Sequence, residues 1–375
     1  MHIVIDCRFV HHSGIGRYIR EIVPRLLRKL EGHRFTLLVS RREYDGFFMQ
    51  QCEAAQAAFC YVEAGMYSLR EQWEIPLRVP SCDVFWSLHY NAPILPLRAR
   101  KKMVTIHDMA HLAVPEGMSF AKRLYARLFF WNAAHSYDEV LTDSEFSQQE
   151  ILRYENVQKE KVHVHCIAVN TGVYRPCTDK TKREKIRRRY GLPANYFLFV
   201  GNAKPNKNIR RMLEAYAVFR ENSSEEIALA IVGKKDGLLT GVEGLDNLMD
   251  SLGLGSSVCF TGFVADEDLP ILYSAARAFV FPSLYEGFGL PPLEAMACGC
   301  PVIASDAASL PEVCGEAALY VNPYDIQDMA AKLQNLASSA QLADRLVNDG
   351  FRRVKNFSWD MAAASIGNRL ENLCL

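Results

Sequence analysis

The sequence has no net charge: 43 Lys and Arg stand against 43 Asp and Glu in 375 residues. That balance excludes a general electrostatic grip on nucleic acid, which needs a strongly basic surface. No apolar run is long enough to span a bilayer, so contact with a membrane would be contact with its surface. The start, Met1-His2-Ile3-Val4-Ile5-Asp6, lacks the basic opening and apolar core of a secretory signal and reads as a first strand. Eleven cysteines include no C-x-x-C pair, and Cys298-Gly-Cys300 is too isolated and too close for the usual zinc site. An odd, scattered set fits reduced packing residues in a cytosolic protein. Low-complexity stretches and short-period repeats are missing too, which removes repeat solenoids from consideration.

What is present is length enough for two domains and a 49% hydrophobic composition that can bury sizeable cores. Short apolar runs alternate with helical patterns. His2–Phe9, Phe35–Val39, Asp83–Ser87, Met103–Ile106, Val140–Thr142 and Val162–Val164 read as parallel strands of a first domain. The rhythm restarts at Tyr196–Val200, Ala228–Gly233, Val258–Val264, Ala278–Phe281 and Pro301–Ser305. Asn170 to Pro176 reads as the linker. Seven Lys or Arg between Lys180 and Arg189 are interleaved with Glu184 in a helical pattern, so we read them as a solvated helix face. In the predicted helix Lys122–His135, Leu124, Leu128 and Trp131 share a face broadened by Phe129 and Phe130. We read that stripe as core-facing. The other reading joins it to Arg98, Arg100, Lys101, Lys102, Lys122, Arg123 and Arg127 as a basic, amphipathic patch for anionic lipid.

Three turns carry the chemistry. After the first strand comes Ser13-Gly14-Ile15-Gly16-Arg17-Tyr18 and then a helix with Tyr18, Ile22, Leu26 and Leu30 on one face. A strand, Gly-x-Gly and helix suit a phosphate, but Ile19 stands where the dinucleotide fingerprint has its third glycine, which disfavours a nicotinamide dehydrogenase. The strand at Tyr196–Val200 runs into Gly201-Asn202-Ala203-Lys204-Pro205-Asn206-Lys207-Asn208, which does not fit the Walker pattern of ATP enzymes. The richest turn is Tyr285-Glu286-Gly287-Phe288-Gly289-Leu290-Pro291-Pro292-Leu293-Glu294, between an apolar strand and a helix opened by Pro292. Glycines let backbone approach a ligand, and helix N-termini favour an anion. Glu286 and Glu294 repel a phosphate but accept hydrogen bonds from sugar hydroxyls, or in the case of Glu294 serve as a simple cap. A nucleotide sugar has both kinds of group.

Glu286 and Glu294, seven residues apart around Gly-Phe-Gly-Leu-Pro-Pro-Leu, resemble the E-x7-E motif of the retaining glycosyltransferases of family four. The likeness covers nearly the whole chain and is strongest from Tyr196 to Glu316. It implies an α/β protein of the GT-B fold, two Rossmann-like, doubly wound parallel-sheet domains facing a central cleft. Residues 1–172 would form the acceptor-binding domain, 173–357 the nucleotide-sugar domain, and 358–375, opening on Phe357-Ser358-Trp359-Asp360, a closing helix that crosses back. Glu286 would contact the donor sugar, Gly287, Phe288, Gly289 and Leu290 the diphosphate, and Glu294 the ribose. Lys207 would hold the diphosphate. Asn202 stands where some members carry Arg, and Lys204 is the candidate to supply that charge. Val264, with Asp266-Glu267-Asp268, would border the nucleobase. Gly14 and Gly16 resemble the first-domain glycine loop, and Thr-Ile-His-Asp resembles the first-domain histidine site, with His107 supporting the donor sugar and Asp108 orienting it.

The resemblance further implies hexose transfer to a hydroxyl with anomeric retention, catalysed by His107 and Glu286, with no cofactor and no metal. The pairing of Gly-Ile-Gly-Arg-Tyr with Thr-Ile-His-Asp is similar to bacterial mannosyltransferases of surface-polysaccharide (O-antigen) assembly. GDP-mannose is then the leading donor, a saccharide or lipid-linked saccharide the acceptor, and the cytoplasmic face of the inner membrane the place of peripheral contact. A UDP- or dTDP-sugar, a nucleotide-sugar epimerase, a phosphorylase and a non-catalytic binding subunit on the same fold remain the alternatives.

Overall fold

The computed structural model describes residues 1–41, 46–115, 118–202, 204–233 and 244–374. The chain divides into two compact units, Met1–Ile167 with Ser358–Leu375, and Ala168–Phe357.

In the first unit the strands are β1 (His2–Asp6), β2 (Arg34–Ser40), β3 (Ala58–Val62), β4 (Cys82–Ser87), β5 (Ala99–Thr105), β6 (Glu139–Thr142) and β7 (Val162–Val164). They form one parallel sheet in the order β3-β2-β1-β4-β5-β6-β7. β1 lies inside it, every residue buried, with Ile3 opposite Phe35 on one side and Val84 on the other. The second unit repeats the design with β8 (Tyr196–Val200), β9 (Ala228–Val232), β10 (Val258–Gly262), β11 (Ala278–Phe281), β12 (Val302–Ser305) and β13 (Ala318–Val321), in the order β10-β9-β8-β11-β12-β13. Strand order reverses between β1 and β4 and between β8 and β11. At such a switch point the loops leave in opposite directions and open a crevice beyond the carboxyl ends of the strands. Two strands that the apolar pattern does not announce are β3 and β13. Both are sheet edges, partly exposed, and their apolar runs of five and four residues (AFCYV and ALYV) are too short to be told by pattern from a buried piece of helix or loop.

The helices differ from the sequence expectation in three places. The first helix is Ser13–Lys29, so Gly14 and Gly16 lie in its opening turn, not in a loop before it. The helix after β11 is Leu290–Ala297, two residues ahead of the expected Pro292, and begins at Gly289 in the left-handed region. In the helix Phe120–Ser136 the stripe Leu124, Leu128 and Trp131 is not core-facing. Ala126, Phe129, Phe130 and Ala133 pack under the sheet, while Phe120, Leu124, Leu128 and Trp131 lie on the solvent side. Apolar residues occupy both sides of this helix, and spacing alone cannot say which side the sheet covers.

The helix Trp359–Asn372 belongs to the first unit and packs along Ser13–Lys29. Arg25 pairs with Asp360 at 3.2 Å, and a Cβ on Gly367 would sit 3.5 Å from Leu26 and Leu30. Trp359 is buried with its ring edge-on to Tyr18, 6.2 Å between centroids.

Candidate active site

The second unit presents its site at the β8/β11 switch point. β8 delivers the chain into a tight turn, Pro205–Lys207, ending at Asn208 with φ +57°. Asn208 is buried, and its amide donates to the carbonyls of Pro282 (3.1 Å) and Pro323 (2.7 Å). Asn206 completes the seam. Its carbonyl accepts from the Leu284 amide at 2.7 Å, and its side chain donates to the Tyr285 carbonyl at 2.8 Å. The loops after β8 and β11 are thereby stitched together. Lys207 arrives with Nζ 2.6 Å from Glu286 Oε1 and 5.1 Å above the Phe281 ring. Both side chains are mostly buried, so the pair is screened far less than a surface ion pair.

The glycine turn is held from behind. Ser309 Oγ donates to the carbonyls of Glu286 (3.0 Å) and Phe288 (2.8 Å). Gly289 takes φ +101°, and a Cβ there would meet Leu310 Cδ2 at 2.6 Å, so glycine is required by the fold as well as suited to a ligand. Gly287 and Phe288 are buried, Phe288 edge-on to Phe357, and Leu290 is half-buried. Glu294 is almost wholly buried and accepts from the Tyr273 hydroxyl at 3.2 Å. Asn202 and Lys204 are exposed on the loop after β8, and Ala203 lies outside the described residues. Val264 is buried beside a knot in which Asp268 holds Arg189 and Tyr190, each at 2.8 Å.

In the first unit, His107 follows β5 and is largely buried. Its Nδ1 is 2.7 Å from Asp143 Oδ2 and its Nε2 3.1 Å from the Leu88 carbonyl. Both neighbours are hydrogen-bond acceptors, so the setting favours the form in which both ring nitrogens carry a proton, the imidazolium. Burial opposes the charge, but the Asp143 carboxylate and its hydrogen bond, Asp108 and the Leu88 carbonyl outweigh it and raise the pKa above its ordinary value. Asp108 is not the orienting group expected. Its carboxylate accepts from the Ala110 amide at 2.9 Å and starts the next helical turn, while Asp143, at the end of β6, holds the ring. A second layer backs this pair. Tyr18 stands edge-on to His107 at 5.0 Å, and its hydroxyl lies 2.7 Å from His165 Nε2. Burial lowers the His165 pKa to about 4, against the pull of Asp143, so that ring is neutral.

The two glycines of the first helix part company. A Cβ on Gly16 would lie 2.2 Å from the Val10 carbonyl oxygen, whereas one on Gly14 would meet nothing within 4 Å. Gly16 therefore permits close backbone packing, and Gly14 is exposed. Residue patterns also gave no hint of a buried ion triad at the end of β1. Arg8 grips Asp6 with two bonds (2.9 and 2.8 Å) and Glu71 with a third (3.0 Å), and Glu71 also accepts from Asn91 at 2.7 Å. The one available signal for Asp143 was its position. It ends a parallel strand beside the one that delivers His107.

Two doubly wound parallel sheets, the second with a lysine–carboxylate pair and two helix N-termini at its switch point, define a GT-B glycosyltransferase. The family pattern described as Glycosyl transferases group 1 matches residues 182–353, and that of the Glycosyl transferase 4-like domain matches residues 13–167. The chain is 30% identical over 368 residues to O-antigen chain mannosyltransferase B of Escherichia coli, covering 93% of each. It is 31% identical over 282 residues to O-antigen chain mannosyltransferase RfbU of Salmonella typhimurium, covering 75% of this chain and 71% of that one. Its fold is similar to sucrose-phosphate synthase from Thermosynechococcus elongatus, with TM-score 0.79 and 21% identity over 100% of this chain and 99% of that one. It is also similar to WaaG, a glycosyltransferase involved in lipopolysaccharide biosynthesis, with TM-score 0.72 and 16% identity over 99% of both. The chain belongs to the group 1 glycosyltransferases.

Proposed function

We propose that this glycosyltransferase moves mannose from GDP-mannose to a hydroxyl of a lipid-linked or free saccharide in cell-surface polysaccharide synthesis, with retention at the anomeric carbon. The mannosyl assignment leans on the relatives, and the chemistry leans on one observation, the Lys207–Glu286 pair at the switch point. Each partner of the pair satisfies the other. An arriving diphosphate competes for the ammonium, and Glu286 is released to accept hydrogen bonds from sugar hydroxyls. Lys207 and the N-termini of the helices Ile209–Asn222 and Leu290–Ala297 then oppose the negative charge that grows on the leaving diphosphate. The bond from the anomeric carbon to the diphosphate breaks, the bond to the acceptor oxygen forms on the same face, and the acceptor proton passes to the diphosphate. No metal takes part in this scheme, because lysine and amide dipoles do the electrostatic work.

From the first unit, His107 is assigned to the donor sugar, and Gly14 to the ligands of the same reaction. Asn202, Lys204, Val264 and Glu294 are assigned to the nucleotide. The enzyme meets its acceptor at the cytoplasmic face of the membrane.

The test is a panel of labelled GDP-, UDP- and dTDP-sugars incubated with the protein and a lipid extract. Label from GDP-mannose should enter the lipid or saccharide fraction. Lys207→Ala and Glu286→Ala should each lower turnover by two or more orders of magnitude with the fold intact, roughly the loss of a charge-stabilising contact in the transition state. Near-normal turnover in either variant, or transfer from a UDP-sugar alone, would overturn the reading.

A further inference from the structure

The first unit carries a solvent-facing apolar surface that nothing in the sugar-transfer reading uses. On the helix Phe120–Ser136 a step of about 100° per residue places Phe120, Leu124, Leu128 and Trp131 within a sector of about 80°. All four are exposed, Phe120 to 82% and Trp131 to 52%. The opposite face is filled by Phe129 and Phe130 against the sheet, so this outer stripe is not spare core. Arg123 and Arg127 run along one edge of the stripe, and the helix contains no Asp or Glu.

The stripe continues onto neighbouring segments. The helix Glu71–Arg78 covers the same face of the sheet, sharing one core with Phe129 and Phe130 through Ile75. Its outer side shows Trp73 and Leu77, the latter 70% exposed. Its two acids, Glu71 and Glu74, are buried; Glu74 holds the half-exposed Arg70 at 2.7 Å, while Arg78 is exposed. Between the helices, the loop after β4 exposes Ile94 and Leu95. It is tied to one helix by the Ile94 amide on Gln72 (2.9 Å) and to the other by Asn132 on the carbonyls of Ala92 and Pro93 (3.3 Å each). Among the described residues the result is one surface of aromatic and aliphatic side chains with arginines at its margins and the acids of its two helices, Glu71 and Glu74, buried beneath it.

We infer that this surface docks the protein on an anionic phospholipid bilayer. Apolar side chains of this kind enter the acyl boundary, tryptophan settles at the headgroup level, and arginines at the rim meet lipid phosphates. Charge decides the choice of occupant. A second copy of the chain would bring arginine against arginine, whereas an anionic bilayer answers both the apolar stripe and the basic rim. Among the described residues no helix is long and apolar enough to cross a membrane, so the contact is with the surface. The inference deepens the lipid-linked acceptor proposed above and rests on that reading only for its purpose, not for its physics.

The experiment is co-sedimentation of the full chain with vesicles of phosphatidylcholine alone and of phosphatidylcholine with about one-third phosphatidylglycerol, the mixture that supplies surface charge. Leu124→Glu with Trp131→Glu is compared with the parent, and circular dichroism checks that both fold. The parent should sediment with the anionic vesicles at least tenfold better than with the neutral ones. The double variant should stay in the supernatant and still turn over a water-soluble saccharide acceptor at the parental rate. Equal sedimentation of parent and variant overturns the inference. So does a parent that stays in the supernatant, or one that loses a dimer in light scattering on substitution, which would make the surface a contact between copies. Neither donor nor acceptor is present in the sedimentation. A protein that docks without transferring mannose therefore sinks the functional reading alone, and one that transfers without docking sinks this one alone.

Discussion

His107 is fixed by a residue 36 positions further along the chain, and its charge state follows from that partner. The Asp143→Asn substitution keeps the shape but offers the ring a neutral amide, so the imidazolium is held less strongly. If turnover uses the charged ring, the alkaline limb of the pH–rate profile should move to lower pH, which stopped assays across the neutral range will show. Stability should follow the same group. In the unfolded chain the imidazole titrates near its ordinary 6.5, and folding raises it. The contribution is therefore complete below pH 6.5 and is lost as pH rises through the higher folded value. Urea midpoints of the parent should fall over that alkaline range, and those of Asp143→Asn should stay level. His165, lowered to about 4 by burial, acts in the opposite sense, and its contribution fades as pH falls below 6.5. Lys207 and Glu286 could be picked out because their turns resemble the family's diphosphate loop and E-x7-E motif. Their contact could not, since it is made by Asn206 and Asn208 stitching loops about 80 residues apart, a span no local pattern reports. Asp108 was named for Asp143 because adjacency in sequence is visible and adjacency across a sheet is not.

Turns and helices show how two glycines of one motif can serve different ends. Gly16→Ala forces a methyl into the Val10 carbonyl and should cost roughly 1–3 kcal/mol, the usual range for overpacking. Gly14→Ala meets open space at the start of a helix and should leave the unfolding free energy within about 0.5–1 kcal/mol of the parent, on the stable side, as read from urea denaturation. A fall in activity for Gly14→Ala would then report a ligand contact and not a folding defect. Gly289→Ala combines a left-handed backbone with the Leu310 clash and should lose about 1–3 kcal/mol, read by the same denaturation. Most of the parallel strands were legible as short apolar runs bounded by turn residues. The edges β3 and β13 were not, and neither was the solvent side of the helix Phe120–Ser136. An apolar residue facing water carries the same letter as one facing the core.

The molecule is two cores on one thread, and they should answer separately to a ligand. Nucleotide binding to the second unit should raise its unfolding midpoint and leave that of the first unit nearly unchanged, a split that one two-state fit cannot describe. Hydrogen exchange with GDP added should slow amides in 204–208 and 284–290 most, and uniform protection of both units would contradict this. The path of the thread matters as well. The first unit is left at Ile167 and rejoined at Ser358, where Trp359 closes over Tyr18 and the last helix covers Leu26 and Leu30. On the ribosome, the second unit is therefore finished while the first still waits for its final lath. The histidine site, backed by Tyr18, is therefore complete only when Trp359 and the helix after it have packed against the first helix, so the earliest and latest parts of the first unit set it together.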